Sequence, residues 1–232
     1  LTPVGGTVTA NTLNSTNTNF TASATITAGQ ATGGKADLLV GSTVVASDSG
    51  ILVGDTSVTF DIGATTAATL QAALAAGGSV TVKVYDLAGN VSADSTAVSL
   101  TVDYSSPTIS AFTGLATTVS STQTVSITTS ESTANFATAD IVSSCGGSGT
   151  VTGSGTSYSF AWTPAANTTG SCTFTIAAGA FTDAAGNPSV LFTKSTIIDN
   201  VAPTVTGVTA VSPNGTYIVG QSIDLAVNFS EP

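Results

Sequence analysis

An all-β fold is predicted for this 232-residue chain, and three observations carry the prediction. Charged residues make up only 7%, whereas exposed helix faces are ordinarily kept wet by Lys, Glu and Arg. Thr and Val recur throughout, and both suit a pleated, half-buried surface. Short alternating stretches are separated by Gly, Asn, Asp and Pro, the residues that turn a chain back on itself. The hydrophobic share of 41% is a folding composition despite the many hydroxyls. The length allows one large domain or two ordinary ones with their own cores.

The elements follow in order. Val80, Val82 and Val84 alternate with Thr81, Lys83 and Tyr85, which predicts a half-buried strand ending at Asp86. The turn Asp86-Leu-Ala-Gly-Asn90 comes next, then a strand through Ala97 to Val102 that stops at "DYSSP". The same order recurs later: a strand from Cys172 to Ala177, the turn Asp183-Ala-Ala-Gly-Asn187, a strand from Ser189 to Ile198, and a stop at "DNVAP". Pro107 and Pro203 prevent strands from running through and make semi-rigid joints. The boundaries fall near Asp103 and Asp199, giving a module over 1–103, a second over 104–199 and the first strands of an incomplete third over 200–232. Each full unit holds about seven short strands between turn signals, the pattern of an immunoglobulin-like sandwich. One departure is expected in the first unit, where Thr65 to Gly78 reads as a helical turn.

In the third unit "SIDLAVNFSEP" puts Ile223, Leu225, Val227 and Phe229 on one face and parallels Thr124 to Ser132 of the second. Both stretches end in Ser-Glu, at Glu131 and Glu231. Two strands of a sandwich leave such a face bare. Either further strands follow in a longer protein, or another copy completes the unit by strand exchange.

Charge excludes much of function. Three Lys, no Arg and no His stand against thirteen acidic residues, a net charge of −10. Nucleic-acid binding needs clustered cations and is excluded. No Ser-His-Asp or Cys-His arrangement, histidine metal site or arginine phosphate clamp can be built, so the chain is not expected to be an enzyme. Two carboxylates would suffice for glycoside chemistry, but the Asp residues are scattered one per turn, as solubilising residues are. No stretch reaches membrane-spanning length, and the acidity disfavours anionic lipid. Without Met or a leader, the chain reads as a mature piece of something longer. Cys145 and Cys172 are the only cysteines, and an even pair favours a disulfide and an oxidising compartment over two buried thiols.

Several features read as ordinary structure. Trp162 alternates with Phe160 and Tyr158 and is expected in the core rather than as a sugar platform. Asn-x-Ser/Thr triplets, among them Asn14 and Asn90, are expected by chance in so Thr-rich a chain. Lys83 should face solvent, and spacing gives no pairing for a lysine–asparagine crosslink at Lys35 or Lys194.

The stretches "VTVKVYDLAGNVS", "LTVDYSSP", "FTDAAGNPS", "IIDNVAPTVTGV" and "GQSIDLAVNFSEP" resemble the tandem bacterial immunoglobulin-like repeats of large surface proteins and adhesins. The resemblance covers the whole chain and implies an elongated extracellular rod with calcium at joints between modules. Its partners would be neighbouring modules and other copies. "TAGQ" (Thr27 to Gln30) in the first unit departs from Ser-Glu, which puts calcium at that outer end in doubt.

Topology gives the turn a reading of its own. In a seven-strand sandwich the incoming linker, the end of the second strand and the last turn share one pole. Asp103, Glu131, Asp183 and Asn187 should therefore converge, and three carboxylates so placed repel unless a cation sits among them. Calcium suits hard oxygen donors without nitrogen or sulfur. The plainer reading is that Asp and Asn are common turn formers bonding their own backbone. Asp199 and Glu231 form a weaker second pair, because their module lacks the turn. The expected function is a structural stalk or fibre segment on a bacterial surface. The alternatives are a ligand- or glycan-binding module and an accessory segment of a secreted glycoside hydrolase.

Overall fold

The computed structural model describes residues 1–62, 72–74 and 79–231. The expected all-β class is what it shows. In the first module, β1 (Thr2–Val4), β3 (Asn19–Thr25) and β6 (Ser57–Asp61) form one antiparallel sheet in the order β1-β3-β6. β4 (Lys35–Val40), β5 (Thr43–Ser49) and β7 (Val80–Tyr85) form the facing sheet in the order β5-β4-β7. A short parallel pair, β2 (Thr12–Leu13) with β8 (Thr101–Val102), brings the end of the module alongside its beginning.

The predicted alternation in β7 holds, with Val80 and Val82 buried, and Leu38 of β4 pairs with Val82. β4 is central, so Ala36 through Val40 are all buried. Phe20, Leu38, Val58 and Phe60 fill the space between the sheets.

The strand expected through Ala97 to Val102 is regular only at its end. Residues 91–99 follow β7 through the single bridges Tyr85 to Val91 and Val80 to Val98. The Ser92 and Ser95 hydroxyls accept from the Val84 and Val82 amides at 3.0 and 2.9 Å. Serine side chains thus take places that carbonyls hold in a ladder, which breaks the regular pairing. Residues 72–74 are helical, as expected of the Thr65 to Gly78 stretch, and Ala73 and Leu74 pack on the core. The rest of that stretch lies outside the described residues.

The second module repeats the plan. β9 (Ile109–Thr113), β11 (Gln123–Thr133) and β13 (Ser148–Thr163) make one sheet in the order β13-β11-β9. β10 (Thr118–Val119), β12 (Ile141–Ser143), β14 (Thr169–Ile176) and β15 (Phe192–Asp199) make the other in the order β10-β15-β14-β12. Trp162 is in the core as expected, edge-on to Phe174 with centroids 4.8 Å apart. A disulfide joins Cys145, just past β12, to Cys172 in β14, with Cα atoms 5.2 Å apart.

Beyond Asp199 the described residues form a two-stranded antiparallel sheet, β16 (Val205–Ala210) with β17 (Leu225–Phe229). The expected bare face is bare: Ile223 is 56% exposed and Phe229 58%. No helix among the described residues is long and apolar enough to cross a membrane.

Candidate metal centre at the joint

The repeated pentapeptide folds the same way twice, for reasons written in its residues. In the second module, one oxygen of the Asp183 carboxylate accepts from the backbone amides of Gly186 and Asn187 at 2.6 and 2.8 Å. Its other oxygen accepts from the Asn187 carboxamide at 2.8 Å. In the first module, Asp86 accepts from the Asn90 amide at 2.8 Å and from the Asn90 carboxamide at 2.7 Å. Asp begins the turn as an acceptor and Asn ends it as a donor. The glycine between them takes the left-handed backbone that only it adopts freely, at φ +95° for Gly186 and +88° for Gly89. The pentapeptide is first of all a self-bonded turn.

What differs is the surroundings. Leu87 to Asn90 are exposed, whereas Asp183, Ala185 and Asn187 are buried against the first module. The Asn14 carboxamide donates to the carbonyls of Ala185 at 2.7 Å and Thr7 at 2.8 Å. Its oxygen accepts from the Thr16 amide and hydroxyl at 2.9 and 2.7 Å. The Ser15 amide donates to Asn187 Oδ1 at 2.6 Å, and Asn187 Nδ2 donates to the Asp103 carbonyl at 3.0 Å. Asn14 and Asn187 are fully buried. Their hydrogen bonds are shielded from water, and every polar atom of Asn14's side chain is engaged.

Beside this docked turn stand the three acids that topology predicted to meet. Carboxylate oxygens of Asp103, Glu131 and Asp183 lie within 4.8 Å of one another, with Asp183 buried and the other two half-buried. Asp103 follows β8 directly, Glu131 lies near the end of β11, and Asp183 opens the turn. Burial pushes the Glu131 carboxyl above its ordinary value, and the charges of Asp183 and Asp103 push it further. Neither ion pair among the described residues reaches the cluster, since Lys35 pairs with Asp37 and Lys83 with Asp94. The donor set is hard oxygen throughout, which fits calcium and gives nothing that a zinc site prefers.

Asn187 lies at the cluster, but its carboxamide oxygen is turned to Ser15 and its nitrogen to Asp183 and Asp103. Its observed work is to tie the turn to the first module. No third acid joins Asp199 and Glu231 among the described residues. Glu231 Oε1 is nonetheless buried without a hydrogen-bond partner among the described residues. At Thr27 to Gln30 the first module makes a plain turn, with the Gln30 amide donating to the Thr27 carbonyl at 3.3 Å. It offers no carboxylate to Asp86.

Asn14 is the residue that sequence reasoning missed. It stood out only as one Asn-x-Ser/Thr triplet among several, and no spacing in the chain marks it as a docking residue. No curated protein matches the chain. Residues 103–198 match the family model for a bacterial Ig-like domain, so the stretch that holds all three acids is an immunoglobulin-like module.

Proposed function

We propose that the chain is a structural stalk or fibre segment of an extracellular bacterial surface protein, stiffened where its first two modules meet by a bound calcium ion. The observation that carries this reading is the coincidence at one joint of a buried docking turn and three carboxylates that no ion pair among the described residues reaches. A turn that only closed a hairpin would have no need of Asn14, and acids that only aided solubility would stand apart in water. Calcium among Asp103, Glu131 and Asp183 would relieve their repulsion and tie linker, strand end and turn to one point. The joint then resists bending as the first module is pulled against the second. The family match of the second module and the Cys145–Cys172 disulfide support an extracellular setting. Partners are neighbouring modules of the same kind and other copies of the chain.

Thermal unfolding with calcium and with chelator tests the reading. At a hundredfold excess over its dissociation constant, calcium should add about 2.7 kcal/mol. Glu131→Gln keeps the turn's own hydrogen bonds and should remove the difference. Identical wild-type curves in calcium and chelator exclude the calcium brace.

A further inference from the structure

Trp162 is the chain's only tryptophan and is 2% exposed, packed edge-on to Phe174 in the core of the second module. Its ring N–H finds no acceptor among the described residues, yet the nitrogen is not sealed from solvent. A buried indole ordinarily gives that hydrogen to a protein acceptor. Here the ring lines a hollow of about 260 Å³ in the flank of the sandwich, where β12 ends one sheet and β13 ends the other. Ile141, Val142 and Phe160 make its apolar wall, and Thr138 and Ser143 stand with Trp162 as its polar groups. All of them lie inside the second module.

Glycines keep the hollow open. A Cβ at Gly147 would lie 3.0 Å from Trp162 Nε1, and one at Gly149 would lie 2.3 Å from Phe160 Cε2. A side chain at either place would cover the rings. The loop that carries these glycines is pinned at its start, because the disulfide fastens Cys145 to Cys172 of β14 and Ser143 Oγ donates to the Gly146 carbonyl at 2.8 Å. The polar groups both give and take. Trp162 offers its N–H. Thr138 Oγ1 accepts from the Val151 amide at 2.8 Å and keeps its own hydrogen to donate. Ser143 Oγ, having donated, still has lone-pair capacity. No lining residue is charged.

We propose that this hollow is a binding site for a neutral hexose, taken as one pyranose ring. Neighbouring hydroxyls on a sugar each donate and accept, which answers Trp162, Thr138 and Ser143 together, and the C–H face of the ring suits Ile141 and Val142. The space is smaller than the ordinary small-molecule pocket, so it takes a single ring and not a run of peptide. An ionic ligand meets no counter-charge in the lining, and the net charge of −10 turns anionic sugars away. The site goes beyond the stalk reading and shares no residue with the carboxylate cluster, so either can fail without the other.

One tryptophan gives one indole N–H resonance, which reports on this site alone. The test is titration of the ¹⁵N-labelled full chain with glucose, galactose and mannose, each as the free sugar and as its methyl glycoside. At least one should move the indole signal in a saturable way, together with the amides of Ser143, Gly146 and Gly147, and glucuronate should not. Binding of a methyl glycoside identifies the end of a glycan as the source of the ring, and binding of free sugars alone identifies a free hexose. Thr138→Ala, shown by its melting curve to be folded, removes one donor and should weaken binding about 2- to 10-fold. An indole signal unmoved by every one of these sugars overturns the proposal. So does a drift that never saturates and is shared with glucuronate, and so does Thr138→Ala binding as tightly as the wild type.

Discussion

Gly89 and Gly186 hold the same place in the same turn, but only one has a neighbour. A Cβ at position 89 would meet nothing within 4 Å, whereas one at 186 would lie 2.7 Å from Thr7 Cγ2 and 3.0 Å from Asn14 Nδ2. Gly89→Ala should therefore cost the left-handed strain alone, about 1–2 kcal/mol. Gly186→Ala should add about 1–3 kcal/mol of overpacking at the joint. Chemical denaturation of both variants measures the difference, and equal losses would mean that the turn does not press on the first module. Asp37 makes a second prediction at this scale. Its burial pushes the carboxyl upward, but hydrogen bonds from Lys35 at 2.7 Å and Ser47 at 2.6 Å, with the lysine charge, outweigh that and hold it below the ordinary value. Its stabilisation is thus fully present above about pH 3.9 and is lost as pH falls through the depressed folded value. Asp37→Asn should unfold at lower denaturant than the wild type near neutrality, with the gap closing as the solution is acidified. The convergence of Asp103, Glu131 and Asp183 was legible because strand count fixes which ends share a pole. The part played by Asn14 was not, because it depends on how one finished module meets the next.

Alternation located strands such as β7, β11 and β17 because side chains of successive residues face opposite sides of a sheet. The strand expected through Ala97 to Val102 is regular only at Thr101–Val102, and just before it the Ser92 and Ser95 hydroxyls replace ladder carbonyls, a competition that periodicity does not register. Pairing of the two cysteines was legible from their number, and the structure places Cys172 at 0% exposure inside the second sheet. The bond closes a loop between residues 27 apart, worth about 3.5 kcal/mol in the chain-entropy model. Reduction should lower the melting point of the second module and leave that of the first. Intact mass with and without reductant, followed by calorimetry, checks this. Two free thiols in oxidised material would refute both the bond and the compartment it implies.

At the scale of the molecule, two β-sandwich cores are linked by the hydrogen bonds of Asn14 and Asn187 beside the acid cluster, and β16–β17 presents an apolar face. That joint differs from the outer end of the first module, where the same turn stands exposed and Thr27 to Gln30 supply no acid. A joint that binds calcium as proposed should respond to the ion once and at one place. The most direct measurement is isothermal titration of calcium into the chelator-stripped, full 232-residue chain, beside Glu131→Gln. One calcium per chain should bind the wild type, with an affinity in the range of extracellular modules, about 10⁻⁴–10⁻³ M, and the variant should bind none at that site. No heat of binding in the wild type, or the same binding in Glu131→Gln, would contradict a calcium ion held by Asp103, Glu131 and Asp183.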